Sequence, residues 1–112
     1  MKTTSHEHGD ATVIELHGKV MGGPESADFQ NAIKKSVSDG KKKVVVDLGG
    51  VEWMNSSGIG LLVSAFTTVK NSGGELKIAR ATSKIESLLV ITKLNSVFDS
   101  HPDVITAVAS FS

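Results

Sequence analysis

The chain has 112 residues, with 12 basic and 12 acidic side chains and no cysteine. This length fits one domain that buries a working core without metals or crosslinks, and the balanced charge gives no reason to expect binding to nucleic acid or to an anionic membrane. The absence of cysteine excludes a disulfide framework, a thiolate metal site and cysteine catalysis, and is compatible with a reducing cytoplasm. The N-terminal residues lack the apolar segment of a signal peptide, and no apolar run is long enough for a membrane span. We therefore expect a single cytoplasmic domain over residues 1–112.

The first twenty residues predict one clear strand after a polar start. Residues 1–10 are expected to form a mobile tail, in which His6 and His8 would hold a metal ion only weakly. Residues 12–17 alternate apolar and polar side chains, which predicts a half-buried strand toward a sheet edge. Residues 19–21 predict a short irregular segment or a second strand.

A helix and the central strand are predicted next. Pro24 suits the first position of a helix, and Asp39-Gly40 would end it. Apolar residues recur four residues apart within it, at Phe29, Ile33 and Val37. The run KVVVDL at residues 43–48 shows no polar alternation, which is typical of a strand covered on both faces in a mostly parallel sheet. We expect this run to be the central strand.

The second half of the chain continues the alternation of helices and strands. An apolar stripe at helical spacing predicts a second helix that ends near residues 71–74; its members are Ile59, Leu62, Val63, Phe66 and Val69. Residues 75–79 predict a strand with Leu76 and Ile78 inward, and Ser83 to Glu86 fits a capping box that opens a third helix. A short strand at residues 97–98 and a last helix follow. Ser100 to Asp103 would start that helix, with Pro102 near its first position, and Ile105, Val108 and Phe111 would dock it.

This alternation predicts an α/β domain with a mixed, mostly parallel sheet of four to five strands and about four helices. Functional sites of open α/β sheets lie beyond the carboxyl ends of the strands, on loops that lead into helices. The segment EWMNSSGIG at residues 52–60 is such a connection, directly after the predicted central strand.

The serine pair in this segment has two interpretations. Serine is a favoured N-cap, because its oxygen accepts a hydrogen bond from an otherwise unpaired backbone N–H. A hydroxyl at a helix N-terminus is also a suitable place for a phosphate, which would meet N–H donors and the positive end of the helix dipole. From residue chemistry alone, capping by Ser56 or Ser57 is the commoner outcome. Trp53, just before the pair, is expected to be mostly buried.

Enzymatic and nucleotide-binding alternatives have weaker support. The stretch from Gly58 to Val63 has valine at the third fingerprint position of a dinucleotide loop, and no phosphate-binding GxxxxGK[ST] motif is present. A hydrolase would need a base for Ser56, but the GxSxG elbow is absent and the four histidines are scattered, at His6, His8, His17 and His101. We predict no catalytic residue, cofactor or metal.

The predicted second helix also carries small residues at Gly60, Ser64 and Thr67, spaced at i, i+4 and i+7. Such a face permits either close packing against a neighbouring helix or an open surface for a partner. The sequence alone leaves both alternatives open.

The stretch VVVDLGGVEWMNSSGIGLLVSAF, with the following Gly-Gly break and ELKIA strand, resembles the STAS family of anti-sigma factor antagonists, and the likeness extends over nearly the whole chain. The resemblance implies that an anti-sigma factor, which is also a serine kinase, phosphorylates Ser56. The unphosphorylated form would bind that kinase and release a sigma factor, and a serine phosphatase would restore it. The implied partner-binding residues are Asn55, Ser56, Ser57, Gly58, Gly60 and Ser64. ATP would belong to the kinase, and weak association into a homo-oligomer is compatible with this interpretation.

Two positions depart from the family pattern. Asn55 stands where an Asp commonly precedes the serine pair, which removes a charge beside the phosphate acceptor. Residues 18–21 read GKVM where the family often has a Gly-x-hydrophobic-Asp segment. The alternative function is therefore a STAS scaffold or transporter-accessory module without a phosphoserine switch.

Overall fold

The computed structural model describes residues 1–23 and 26–111, and within them it contains five strands and four helices. In chain order these are β1 Lys2–His8, β2 Ala11–Val20, α1 Ala27–Ser38, β3 Lys43–Met54, α2 Ser56–Asn71, β4 Glu75–Ala79, α3 Ser83–Ile91, β5 Asp99–His101 and α4 Val104–Ala109. Pro24, expected at the first position of the first helix, lies outside the described residues.

The five strands form one mixed sheet in the order β1-β2-β3-β4-β5. β1 is antiparallel to β2, and the other three pairings are parallel. The α/β class and the mostly parallel sheet are thus confirmed, as is the central position of the strand that begins at Lys43. Right-handed crossovers between successive neighbouring strands place their helices on the same face of the sheet.

The two faces of the sheet carry separate apolar cores. One core lies under α1, α2 and α3, and its strand members are Ile14, Leu16, Val20, Val44, Val46, Leu48, Val51, Met54, Leu76 and Ile78. The other face is covered by α4, whose Ala107 packs with Val13, Val45 and Ala79. Because both faces of β3 are buried from Val44 to Leu48, that run shows no polar alternation.

The expectation of a mobile tail at residues 1–10 is wrong for most of that segment. Lys2–His8 pairs with β2 along its whole length, from Lys2 opposite His17 to His8 opposite Ala11. β1 takes the sheet edge, so β2 is an inner strand rather than an edge strand. The side chains of β1 are mostly exposed, and a polar edge strand carries no hydrophobic pattern that would reveal it.

Several predicted boundaries shift because a neighbouring residue supplies the cap. Thr82, not Ser83, caps α3 by accepting a hydrogen bond from the Ile85 N–H at 3.4 Å. Asp103 caps α4 by accepting from the Thr106 N–H at 2.7 Å, so His101 belongs to β5 rather than to a helix start. The short strand predicted at residues 97–98 lies at Asp99–His101 instead.

Two helix stripes also differ from expectation. Val63 is 36% exposed, because α2 packs against α1 as well as the sheet and turns Leu61 and Ala65 inward. Ile105 is 72% exposed, because the short α4 turns Ala107 toward the sheet, with Val104, Val108 and Phe111 packed beside it.

The short edge strand β5 is held by an ion pair between the buried Lys77 and the exposed Asp99. Lys77 on β4 donates a hydrogen bond to Asp99 Oδ2 at 2.5 Å, and its ammonium lies 5.1 Å from the centre of the Phe111 ring. The hydrogen bond from Lys77, with a smaller contribution from His101, holds the pKa of Asp99 below its ordinary value. This ion pair links β5 to β4 on the face of the sheet that α4 covers.

Candidate functional site

The serine pair opens α2, but neither serine caps it. Asn55 is the N-cap, with an extended backbone and a side-chain oxygen that accepts a hydrogen bond from the Gly58 N–H at 2.9 Å. Ser56 and Ser57 occupy the first two helical positions, and both are exposed. The capping interpretation of the serines is therefore wrong, and the residue that departs from the family pattern does the capping.

The N-terminus of α2 is clamped to the end of β2. The Asn55 N–H donates to the Val20 carbonyl oxygen at 3.3 Å. A Cβ on Gly58 would lie 2.3 Å from the same oxygen and 2.6 Å from Met54 Cγ, so only glycine permits this approach. On the other side, a Cβ on Gly22 would come within 3.0 Å of Ser57 Cβ, which places the loop after β2 against the second serine.

The six predicted partner-binding residues differ in their exposure to solvent. Four are exposed along α2: Ser56, Ser57, Gly60 and Ser64. Asn55 is half-buried, and Gly58 is buried, so Gly58 packs the helix against β2 instead of offering a contact surface. Among the two alternatives for the small-residue face, the structure shows the open one, because a Cβ on Gly60 would meet nothing within 4 Å.

The electrostatic setting of Ser56 favours an anion. The first turn of α2, which is fully described, carries no acidic residue. Backbone N–H groups of a first helical turn lack intrahelical acceptors, and the helix dipole adds a partial positive charge there. A phosphate on Ser56 would thus be tolerated by the fold, while it would add negative charge to a neutral surface.

Trp53 is 46% exposed, so the expectation of burial is wrong. β3 pairs with β4 only as far as Asp47 opposite Ala79, whereas its pairing with β2 continues to Met54 opposite Val20. Trp53 therefore lies on a part of β3 that extends beyond its neighbour β4. The local sequence could not reveal this exposure, because it depends on where another strand ends.

Sequence reasoning also missed a polar contact at the base of this extension. Asp47 is buried; its Oδ1 accepts from the Gly49 N–H at 2.9 Å and its Oδ2 from Arg80 Nη1 at 3.2 Å. Arg80 adopts a left-handed backbone with φ of 59°, which is unusual for a non-glycine residue. The aspartate inside the apolar run KVVVDL was the available signal, since a buried carboxylate needs partners.

The histidine contacts lie away from the serine pair. His17 faces Glu15 at 3.3 Å. His101 Nε2 lies 3.3 Å from Ser110 Oγ and 3.2 Å from Asp99 Oδ1. A catalytic serine–histidine–aspartate relay uses different ring nitrogens for its two contacts, so this cluster does not match one. Within residues 1–23 and 26–111, no group of three or more potential metal ligands is assembled.

Comparison with known proteins identifies the family to which this chain belongs. A family model described as STAS domain matches residues 2–107. The chain belongs to the STAS domain family. Its similarity to a curated protein, the anti-sigma-B factor antagonist of Bacillus subtilis (strain 168), is 36% identity over 52 residues. That match spans 46% of this chain and about half, 48%, of the curated relative.

Solved structures of other proteins share the fold over nearly the whole chain. A putative anti-sigma factor antagonist from Thermotoga maritima superposes with a TM-score of 0.83 at 19% identity, covering 96% of this chain and 92% of that one. The phosphorylated form of the Bacillus cell fate determinant SpoIIAA gives 0.73 at 15% identity, with 99% and 100% covered. Murine Slc26a9, an anion transporter, gives 0.75 at 16% identity, with 93% of this chain but 18% of the transporter covered. Within the described part of this STAS chain, no helix is long and apolar enough to cross a membrane.

Proposed function

We propose that this STAS protein is an anti-sigma factor antagonist that binds an anti-sigma factor serine kinase and thereby releases a sigma factor. Phosphorylation of Ser56 ends that binding, and a serine phosphatase restores it. The protein acts by association rather than catalysis, and its partners place it in the cytoplasm. Similarity to the anti-sigma-B factor antagonist supports the class of function.

The observation that carries this proposal is the state of Ser56. It is exposed at the first position of α2, while Asn55 satisfies the first-turn N–H that a capping serine would otherwise bind. The hydroxyl is therefore available to a kinase without loss of a structural hydrogen bond. The exposed residues Gly60 and Ser64 extend the same neutral surface along the helix.

The switch works through charge on this surface. A phosphate adds about −1.5 to −2 charges at neutral pH, and an anion at a helix N-terminus is stabilised by roughly 0.3–1 kcal/mol. The phosphorylated protein therefore remains folded while its binding surface becomes anionic. A partner fitted to the neutral surface loses affinity because it must now meet or desolvate this charge.

The test combines phosphorylation with binding. The purified chain is incubated with ATP and each kinase-type anti-sigma factor encoded by the same organism, and phosphate is located by peptide mass spectrometry. Calorimetric titration then compares the wild type with Ser56→Ala and Ser56→Asp. We expect phosphate on Ser56 only, unchanged affinity for Ser56→Ala, and at least tenfold weaker binding for Ser56→Asp, equivalent to about 1.4 kcal/mol.

Ser5→Asp is the control, because Ser5 is an exposed serine on the outer edge strand β1, at the opposite end of the sheet from β5. It introduces the same charge on an exposed serine away from α2 and from the surface around Ser56. Equal weakening by Ser56→Asp and Ser5→Asp would contradict a local switch. Unfolding of Ser56→Asp would also contradict it, because the charge should be tolerated at that position.

The fold likeness to part of Slc26a9 favours a second candidate, a binding module without a phosphoserine switch. Such a module would bind its scaffold or transporter partner with the same affinity in the wild type and in Ser56→Asp. This candidate is favoured if Ser56 carries no phosphate across growth and stress conditions and if Ser56→Asp binds the partner as tightly as the wild type.

A further inference from the structure

A stretch of β3 near the switch has a strand on one side only. Beyond Asp47, the described residues place no strand beside β3 on the β4 side, although β2 still pairs with it as far as Met54. Gly49 is already engaged, because its N–H donates to Asp47 Oδ1 and the Arg80 guanidinium lies against it, so the edge that faces a gap in the sheet is that of residues 50–54. A strand edge of this kind is a template for pairing with another extended chain.

An apolar groove lies between the end of this stretch and α3. Trp53 and Met54 form one wall, and Leu88 and Ile91 form the other. Ile91 is 76% exposed and Trp53 is 46% exposed, so large apolar side chains remain open to solvent at the rim. Lys84 contributes a positive charge to the same groove.

We propose that the groove and the free edge of residues 50–54 together receive an extended, apolar segment with an acidic side chain, supplied by the partner that contacts Ser56. The segment adds as a strand beside β3, where main-chain hydrogen bonds give affinity and side-chain pockets give specificity. Its apolar side chains contact Trp53 and Ile91, and its carboxylate meets Lys84. This inference rests on the proposed function, since the partner is the one that the serine switch controls.

The position of the groove couples it to the switch. Trp53 precedes Ser56 by three residues, and three extended residues span at most roughly 11 Å, close to the screening length of about 8 Å at physiological salt. A phosphate on Ser56 therefore repels an acidic segment in the groove through a partly screened interaction. The partner's carboxylate that Lys84 attracts is thus the group that a phosphate on Ser56 repels, so phosphorylation favours dissociation of the partner.

The test uses two exposed isoleucines on opposite faces of the sheet. Ile91→Glu introduces a charge into the groove, and Ile105→Glu introduces it on α4, with wild-type exposures of 76% and 72%. Each variant is titrated against the kinase-type anti-sigma factors of the same organism, after circular dichroism confirms that it is folded. We expect Ile91→Glu to bind at least about tenfold more weakly and Ile105→Glu to bind within about twofold of the wild type.

Two further readouts separate strand addition from simple apolar contact. Trp53 is the single tryptophan of the chain, so its emission should shift to shorter wavelength and become shielded from acrylamide when the kinase binds. Amide hydrogen exchange of residues 50–53 should slow in the complex, because new main-chain hydrogen bonds form there.

The outcomes distinguish this proposal from the function on which it rests. Loss of binding in Ser56→Asp with full binding in Ile91→Glu would overturn the groove and leave the switch intact. Equal losses in Ile91→Glu and Ile105→Glu, or unchanged exchange at residues 50–53, would also overturn it. Failure of every such kinase to bind the wild type would overturn both proposals.

Discussion

Replacing Gly58 with alanine should destabilise the protein even though glycine is a poor helix former. The new methyl carbon would lie 2.3 Å from the Val20 carbonyl oxygen and 2.6 Å from Met54 Cγ. The oxygen cannot retreat easily, because Val20 and Met54 are paired in the sheet at that point. Overpacking of this kind costs up to about 3 kcal/mol, while the gain in helix propensity offsets about 1 kcal/mol. We therefore expect a net loss of roughly 2 kcal/mol in the free energy of unfolding.

Gly60→Ala is the matched control on the same helix. A Cβ at Gly60 meets nothing within 4 Å, so only the propensity gain remains. The variant should be stabilised by roughly 0.5–1 kcal/mol. The same chemical change, two residues apart, is thus expected to have opposite signs.

Urea unfolding followed by circular dichroism measures both variants. With an m-value of about 2 kcal/mol/M, the expected separation of roughly 3 kcal/mol places the two midpoints about 1.5 M apart. Coincident midpoints, or a Gly58→Ala midpoint above that of the wild type, would refute the close approach of α2 to β2.

Three other substitutions test the cap, the ion pair and the core. Asn55→Ala should lower the free energy of unfolding by about 1 kcal/mol, whereas Ser56→Ala should change it by less than about 0.5 kcal/mol; a larger loss for Ser56→Ala in thermal unfolding would make serine the cap. The hydrogen bond from Lys77 holds the pKa of Asp99 below its ordinary value, so the stability it contributes is fully present above the unfolded pKa of about 3.9 and is lost as pH falls through the folded pKa. Asp99→Asn should therefore be less stable than the wild type at neutral pH and approach it in urea titrations below about pH 4, and a gap independent of pH would contradict this. Leu62→Ala, at a fully buried position, should cost about 2–5 kcal/mol by urea unfolding, and a smaller loss would mean that α2 packs loosely.

Local sequence patterns were sufficient for most of the fold. The β-branched run from Lys43 identified the central strand, because burial on both faces removes polar side chains from a strand. The apolar stripe from Ile59 identified α2, and Leu76 and Ile78 identified β4. In each case the buried apolar residues repeat at the spacing that is typical of a helix or of a strand. The connection that carries Ser56 followed from this order of elements.

Caps and polar strands were beyond such patterns. Asn55, Thr82 and Asp103 cap the helices where adjacent serines or a proline were expected to mark the start. Several residue types cap comparably well, so the backbone conformation decides among neighbours. β1 escaped prediction because an exposed edge strand needs only main-chain pairing on one side, and main-chain hydrogen bonds leave no side-chain pattern.

The sequence by itself determined the α/β order, the central strand, and the placement of Ser56 at a helix start beyond that strand. Only the tertiary structure decided that Asn55 frees the serine hydroxyl from capping, that Gly58 presses α2 onto β2, and that Trp53 is open to solvent. Each of these depends on the position of a backbone segment distant in the chain or on a local backbone angle. Side-chain periodicity records which face of an element is buried, but not where its neighbour ends.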